Sequence, residues 1–257
     1  MPVYKNPDQT ESWRKLASLA PLKEHFSFRS TLDEKRLDSF RVPMAAGLEY
    51  SYAAKLVDES VLSALQSLSD EMELIGKFKE LASGALVNTG EKRRVLHHLL
   101  RGELAGSVLE NGRNLGDFYK GEMQRVYDFA DAVHSGRFLG STGKNFDTVV
   151  QIGIGGSDLG PRALYLALEN SASANKSLKM KARFISNVDP DDGSAVVHET
   201  KLETSLFVLV SKSGVTQETL ANELFVKAAL INAGLDPAKH IVAVTSETSP
   251  LAHNKAY

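Results

Sequence analysis

The sequence predicts an α/β fold, in which a mostly parallel sheet is covered by helices and preceded by a helical N-terminal region. Two observations support this prediction. Beyond about residue 145, short apolar runs rich in β-branched residues alternate with helical patterns, whereas the earlier residues mainly show helical spacing of apolar side chains. Strands that are apolar at nearly every position indicate a sheet with both faces buried.

Four apolar runs predict the strands of this sheet. They cover residues 148–152, 182–185, 206–210 and 241–245. Helical patterns lie between most of these runs, at about residues 159–169 and 217–232, and Gly234 is a stop signal for the latter helix. Ligands of such sheets bind beyond the carboxyl ends of the strands, so the loops that follow the strands are the candidate sites.

The first half of the chain predicts helices. Residues 53–83 carry apolar side chains at helical spacing, in one amphipathic helix or in two joined ones. Residues 88–101 predict a short helix with a cap at its start, and a longer helix is expected from about residue 112 to residue 133. We therefore expect a helical N-terminal region over residues 1–105 and an α/β domain over residues 106–257.

The composition excludes several classes of function. The 30 basic and 32 acidic side chains nearly cancel, so no basic excess points to nucleic acid or to an anionic membrane. The absence of cysteine excludes disulfides, thiolate metal sites and a cysteine nucleophile. No secretory signal is visible, and no apolar stretch approaches the ~20 residues of a membrane helix, so we expect a cytoplasmic protein.

The histidines predict no metal site. His97 and His98 are adjacent in a predicted helix and face different sides of it, and the other histidines are scattered. We expect surface or structural roles for them, and the sequence predicts neither a metal nor a cofactor.

The first candidate loop follows the strand at residues 148–152 and opens a helix. It reads Gly-Ile-Gly-Gly-Ser-Asp-Leu-Gly-Pro over residues 153–161. Its glycines let the backbone approach a ligand closely, and Ser157 adds a hydroxyl. The start of a helix offers free N–H donors and a partial positive charge, so this loop predicts an anion site.

The second candidate loop, residues 211–219, also joins a strand to a helix and reads Ser-Lys-Ser-Gly-Val-Thr-Gln-Glu-Thr. Four hydroxyls and one lysine fall within these nine residues. Hydroxyls and backbone amides can surround a phosphate, and Lys212 supplies a full positive charge.

Each loop has competing interpretations. A turn rich in serine, threonine and glycine can be only a helix cap, although two such loops after strands of one sheet make this less favoured. A dinucleotide site requires G-x-G-x-x-G, but Asp158 stands where the third glycine is needed. The Gly-Lys-Ser/Thr ending of a P-loop is absent.

The run from Ile152 to Pro161 resembles the sugar-binding loop of the phosphoglucose isomerase family. The second loop resembles the family's Ser-Lys-Thr-Phe-Thr-Thr-x-Glu-Thr segment. More distant matches follow in order, at Asn88, Thr89, Arg94, Val95, Leu96, His97, Arg101, Gly136, residues 140–144 and residues 186–190. The resemblance covers roughly residues 45–250.

The resemblance implies an aldose–ketose isomerase that interconverts glucose 6-phosphate and fructose 6-phosphate through an enediol, in glycolysis and gluconeogenesis. It also implies a homodimer, built from two sugar-isomerase domains per chain. Each domain is a three-layer αβα sandwich, so residues 106–257 would form the first of them.

The resemblance also assigns roles to residues. It implies phosphate binding by the second loop, through Ser211, Lys212, Ser213, Gly214, Val215 and Thr216. Gly156 and Ser157 would line the sugar, and Lys212 would lie near the developing enediolate as a catalytic residue. Gly214 and Val215 replace the usual Phe-Thr, yet they fit the Ser-x-Ser-Gly-x-Thr pattern of the wider superfamily.

Family members are about twice as long as this chain. The resemblance places their catalytic glutamate beyond Tyr257, and neither Glu218 nor Glu223 is an evident substitute. We therefore expect sugar-phosphate binding with little turnover by this chain. A non-catalytic sugar-phosphate sensor and an isomerase that also accepts mannose 6-phosphate are the alternatives.

Overall fold

A computed structural model describes residues 5–20, 27–102 and 106–254. The chain divides into two compact units, Met1–Met123 and Gln124–Tyr257. Residue 105, at the domain boundary expected from the sequence, lies outside the described residues, and that boundary stays a prediction.

The first unit combines short helices with two small hairpins. Its elements are α1 (Glu11–Leu19), α2 (Phe28–Thr31), α3 (Glu34–Ser39), β1 (Arg41–Pro43), β2 (Glu49–Ser51), α4 (Glu59–Glu71), α5 (Leu74–Ala82), β3 (Leu109–Glu110), β4 (Arg113–Asn114) and the start of α6 (Leu115–His134). β1 pairs with β2 and β3 pairs with β4, both antiparallel. A small apolar cluster of Leu96, Leu99, Val108 and Leu115 is buried in this unit.

Of the two possibilities predicted for residues 53–83, one helix or two joined ones, the structure has two helices, α4 and α5, which begin at Glu59 and end at Ala82. The Asp58 carboxylate caps α4 by accepting hydrogen bonds from the backbone N–H groups of Ser60 and Val61, each at 3.1 Å. The helices are separated at Glu73, whose φ of +53° lies in the left-handed region.

The prediction of a short helix over residues 88–101 is wrong. Only His97–Leu100 form a single turn of 3-10 helix, and Asn88 pairs with Arg93 in an isolated antiparallel bridge. The Asn88 side chain accepts a hydrogen bond from the N–H of Glu91 at 3.1 Å, and Lys92 has a φ of +53°. The polar segment therefore closes a tight turn and does not cap a helix.

The second unit carries the parallel sheet. Its elements after α6 are β5 (Thr148–Ile152), α7 (Gly156–Ala174), β6 (Lys181–Ile185), α8 (Pro190–Glu199), β7 (Ser205–Val210), α9 (Gln217–Asn232) and β8 (Ile241–Val244). The strand order is β6-β5-β7-β8, and all three pairings are parallel. All four predicted strands are present, as is the helix that ends before Gly234.

Helices cover both faces of this sheet, which confirms the three-layer αβα architecture. On one face, Ile152 and Phe207 are fully buried with Val226 and Leu230 of α9. A fully buried side chain of this size contributes about 1.5–3 kcal/mol relative to its exposed state. On the other face, the Tyr165 ring of α7 contacts Phe184 of β6, with 6.0 Å between ring centroids.

The end of α6 also packs on that second face. Val133 of α6 is buried with Phe146 and Leu206, and Phe129 packs against this group. Helix α8 was not predicted, although Asp189 caps it and Pro190 occupies its first position, which are ordinary helix-start signals.

The histidine His240 has a structural role at the amino-terminal edge of the sheet. It is fully buried. Its Nε2 accepts the N–H of Ser141 at 3.1 Å, so Nδ1 carries the proton that is donated to the carbonyl oxygen of Ser205 at 2.9 Å. Gly140 leaves room for this ring, because a Cβ there would lie 2.8 Å from Cε1 of His240.

Within the described ranges, the helices are too short or too polar to cross a bilayer.

Candidate functional site

The two candidate loops lie at the same edge of the sheet. β5 and β7 are neighbouring parallel strands, and Ile152 stands opposite Leu209 in their register. The first loop leaves β5 after Ile152 and the second leaves β7 after Val210, so both emerge at the carboxyl end. The expected ligand position beyond this edge therefore has two contributing loops.

The first loop makes a sharp turn from β5 into α7. Gly155 has φ +56° and ψ −120°, a conformation that disfavours residues with a Cβ. Gly153 contacts the start of the helix closely, because a Cβ at this position would lie 2.7 Å from the carbonyl oxygen of Ser157. Gly156 is exposed and Ser157 half-buried, so both predicted sugar-lining residues are accessible at this edge.

A buried ion pair fixes the first turn of α7. Asp158 is only 3 % exposed, and its Oδ1 lies 3.0 Å from Nη2 and 3.1 Å from Nε of Arg162. The guanidinium carbon of Arg162 lies 4.9 Å from the centre of the Phe184 ring. Asp158 is therefore committed to holding the helix, which explains an acidic residue in a loop predicted to bind anions.

The second loop is organised around the Ser211 hydroxyl. This side chain is buried, accepts a hydrogen bond from the N–H of Gly214 at 3.1 Å, and lies 3.0 Å from Oγ1 of Thr216. Ser213 adds a local bond, since its Oγ accepts the N–H of Val215 at 3.3 Å. Three of the predicted phosphate-binding side chains are thus brought into one compact turn.

Gly214 is the residue that permits this turn. Its φ is +69°, and a Cβ there would overlap the hydroxyl of Ser249. The glycine that replaces the family's usual phenylalanine therefore has a steric reason in this chain.

A third hydroxyl-rich segment supports the second loop, and the sequence reasoning missed it. The Thr245 hydroxyl lies 2.7 Å from the carbonyl oxygen of Ser211 and 2.6 Å from Oγ of Ser249. The N–H of Ser246 donates to the carbonyl oxygen of Lys212 at 3.3 Å. The available signal was its composition, because four of residues 245–249 are serine or threonine and follow the last strand.

Several predicted residues of the second loop are accessible to solvent. Lys212 and Ser213 are exposed, Val215 is 56 % exposed, and Thr216 is half-buried directly before α9. The N-termini of α7 and α9 both lie at this edge, and each adds a partial positive charge. The combination of hydroxyls, amides and one lysine suits a phosphate or another small anion.

Two carboxylates of α9 lie near this edge, one in the first turn of the helix and one in an ion pair. Glu218 lies in the first turn of α9, where a negative charge is favoured. Glu223 is 5 % exposed, and its Oε1 lies 2.6 Å from Nζ of Lys227.

No cluster of histidine and carboxylate side chains suited to a metal ion occurs in the described part of the chain. A surface cleft at the opposite edge of the sheet is lined by Lys179, Lys181 and Lys201, among others. These lysines are exposed, so we interpret this cleft as solvated charged surface.

The fold and the paired loops define an α/β domain with a candidate anion site at one edge of its sheet, and comparisons with known proteins place this domain in a family. The model of the family "Phosphoglucose isomerase" matches residues 51–253. The chain therefore belongs to the phosphoglucose isomerase family.

Individual relatives are similar over nearly the whole chain. A glucose-6-phosphate isomerase of Treponema denticola is 55 % identical over 223 residues, which is 87 % of this chain and 42 % of the relative. One from Borreliella burgdorferi is 40 % identical over 252 residues, 97 % of this chain and 47 % of the relative. A solved glucose-6-phosphate isomerase from Chlamydia trachomatis has a TM-score of 0.77 and 35 % identity, and the alignment covers 96 % of this chain and 46 % of that chain.

The chain thus spans less than half the length of these relatives. The site residues named from the sequence stay predictions, although the structure brings their loops to one edge.

Proposed function

We propose that this chain supplies the phosphate-binding half of an isomerase that interconverts glucose 6-phosphate and fructose 6-phosphate through an enediol. The observation that carries the proposal is the pair of loops at the carboxyl ends of β5 and β7. The relatives named glucose-6-phosphate isomerase support the choice of sugar phosphate.

In this proposal the second loop holds the phosphate. Ser211, Ser213 and Thr216 contribute hydroxyls, and Gly214 and Val215 shape the turn that presents them, since their N–H groups bond to Ser211 and Ser213. Contacts of these hydroxyls with a phosphate are charge-assisted hydrogen bonds, which are about twice as strong as neutral ones.

Lys212 and the first loop act on the sugar in the same proposal. Gly156 and Ser157 line the sugar, and their amides lie at the N-terminus of α7. Lys212 is exposed at the same edge, where its charge would stabilise the phosphate and the developing enediolate.

Proton transfer between C1 and C2 requires a base, which typically accelerates a reaction by about 10²–10⁴-fold. Of the carboxylates in and beside the two loops, Asp158 and Glu223 form ion pairs, and Glu218 lies in the first turn of α9, where a negative charge is favoured. We therefore expect binding without appreciable turnover by the 257-residue chain, and infer that the base comes from the remaining length of the relatives.

Calorimetry with 6-phosphogluconate tests the binding step. We expect heat of binding for the wild type, a large loss of affinity for Ser211→Ala, and no change for Ser171→Ala, a matched exposed serine on α7. Absence of binding by the wild type would contradict the proposal. Clear conversion of fructose 6-phosphate by the purified chain would contradict the assignment of the base to another segment.

Binding without turnover is also the behaviour of a regulatory sugar-phosphate module. Supplying the C-terminal half of the Treponema denticola relative separates the two, because an isomerase half should regain activity and a sensor should not. The proposed isomerase would be a homodimer in the cytoplasm. The same activity assay, repeated with mannose 6-phosphate as substrate, decides its sugar selectivity.

A further inference from the structure

Gln151 makes an unusual contact between the sheet and the first loop. It lies one residue before the end of β5, and its side-chain Nε2 donates a hydrogen bond to the carbonyl oxygen of Ser157 at 2.7 Å. The neighbouring side chains, Val150 and Ile152, are fully buried on the other face of the sheet. Gln151 therefore lies on the face that α7 covers.

The Ser157 carbonyl needs this donor because of a proline. In an α-helix, a carbonyl accepts the N–H of the residue four positions later, which for Ser157 is Pro161. Pro161 lies inside α7 and has no N–H, and a proline ring also displaces the carbonyl four residues earlier. The Ser157 carbonyl is thus left without its helical partner, and the amide of Gln151 takes that place.

Gly153 completes the arrangement from the backbone side. A Cβ at Gly153 would lie 2.7 Å from the same carbonyl oxygen and 3.1 Å from Cβ of Ser157. The close approach of strand and helix therefore depends on a glycine, a proline and the amide of Gln151 together.

We propose that Gln151 is a positioning residue for the sugar side of the site. By holding the Ser157 peptide, it sets the direction of the Ser157 side chain and of the first amides of α7. This inference rests on the proposed function, in which Ser157 lines the sugar. The phosphate loop at residues 211–216 does not depend on Gln151, so its anion binding should be separable.

The first test compares two ligands on the 257-residue chain. Gln151→Met keeps the length of the side chain but removes the donor, and leaves the partly buried Ser157 carbonyl without this hydrogen bond. We expect affinity for 6-phosphogluconate to fall about 10-fold, and affinity for inorganic phosphate to stay within about 2-fold. Gln124→Met is the matched control, because the amide of Gln124 bonds to Asp128 in an exposed contact within α6.

Two further variants separate positioning from mere folding. Pro161→Ala restores an N–H opposite the Ser157 carbonyl, so Gln151→Met should have little effect on 6-phosphogluconate binding in that background. Gln151→Glu places a carboxylate against the carbonyl, and its binding should recover as the pH is lowered and the carboxyl becomes a donor. A loss of folding would instead lower the affinity for inorganic phosphate in Gln151→Met and Gln151→Glu as well.

The outcomes distinguish this inference from the proposed function. If the wild type does not bind 6-phosphogluconate, the proposed function fails and this inference fails with it. If the wild type binds and Gln151→Met binds equally well, only the role of Gln151 is overturned. Equal loss of both ligands in Gln151→Met, or no rescue by Pro161→Ala, also overturns it.

Discussion

The structure explains why glycine stands at position 214, where this chain departs from the family motif. The phosphoglucose isomerase family usually has phenylalanine at this point of the loop, and the exchange removes a ring. In this chain the backbone of Gly214 has a φ of +69°, and the buried Ser249 occupies the space that a side chain would need. The two residues therefore form one unit that shapes the second loop.

Gly214→Ala is expected to destabilise the second unit by about 2 kcal/mol. The left-handed conformation costs a residue with a Cβ about 1–2 kcal/mol, and the overlap with Ser249 adds to this. Urea unfolding measures the free energy. Gly160→Ala is the control, because a Cβ there meets open space within α7, and alanine should stabilise that helix by up to about 1 kcal/mol.

Ser249→Ala in the Gly214→Ala background should recover part of the lost free energy, since it removes the overlapping hydroxyl. Equal stabilities of the two glycine variants would show that the left-handed turn of the loop is not required.

At the scale of elements, α7 carries exposed leucines in two groups, because helical spacing places Leu164 and Leu168 on one side and Leu159 and Leu166 on another. Leu159, Leu164, Leu166 and Leu168 are between 56 % and 67 % exposed. Its charged residues are instead turned towards the sheet, where Arg162 pairs with Asp158 and Glu169 accepts a hydrogen bond from the Tyr165 hydroxyl at 2.8 Å. Burial raises the pKa of that phenol above its ordinary value.

Because exposed apolar side chains promote association, we expect the chain to self-associate, and we expect Leu164→Lys combined with Leu168→Glu to weaken this association without reducing stability. Both side chains are largely exposed, so the free energy of unfolding should change by less than about 0.5 kcal/mol. Light scattering over a range of protein concentrations measures the association. Leu230→Lys is the contrasting control, because Leu230 is fully buried and a charge there should unfold the second unit. Unchanged association of the double variant would contradict this account of the α7 surface.

Local composition decides which helices and strands could be predicted from the sequence. The strands were predictable because their β-branched runs are buried on both faces, so local composition and burial agree. Helix α8 was missed because the aspartates and glycine at its start are also typical of a turn. The helix expected at residues 88–101 failed because Asn88 closes a turn with Glu91.

The candidate site, too, could be predicted only in part from the sequence. Its glycines and hydroxyls are local in the sequence, so both loops could be predicted before their positions were known. The contacts that hold the loops join residues that are distant in sequence, as Ser211 with Thr245 and Gly214 with Ser249. The Gln151–Ser157 bond spans only six residues, but it becomes visible only when the strand end and the helix start are placed together.

At the scale of the whole molecule, the chain contains one complete αβα layer system. The four-stranded sheet and both of its cores consist of residues after 123. Helix α6, however, begins at Leu115 and contributes Phe129 and Val133 to the second core only near its end. A helix cut at its centre loses backbone hydrogen bonds and its N-terminal signals, so the natural start of an independent domain should precede residue 115.

We therefore expect a polypeptide of residues 106–257 to fold on its own, whereas one of residues 124–257 should be markedly less stable. The longer one retains all of α6, and the Asn114 side chain that accepts the N–H of Gly116 at 2.8 Å at the start of that helix. The shorter one begins inside the helix, so the segment that carries Phe129 and Val133 should fray and expose the core beneath it.

Thermal unfolding followed by circular dichroism compares the two polypeptides. We expect a cooperative transition for residues 106–257 and a lower midpoint for residues 124–257. Equal midpoints would place the domain boundary inside α6, and a longer polypeptide without a cooperative transition would show that the sheet depends on the N-terminal region.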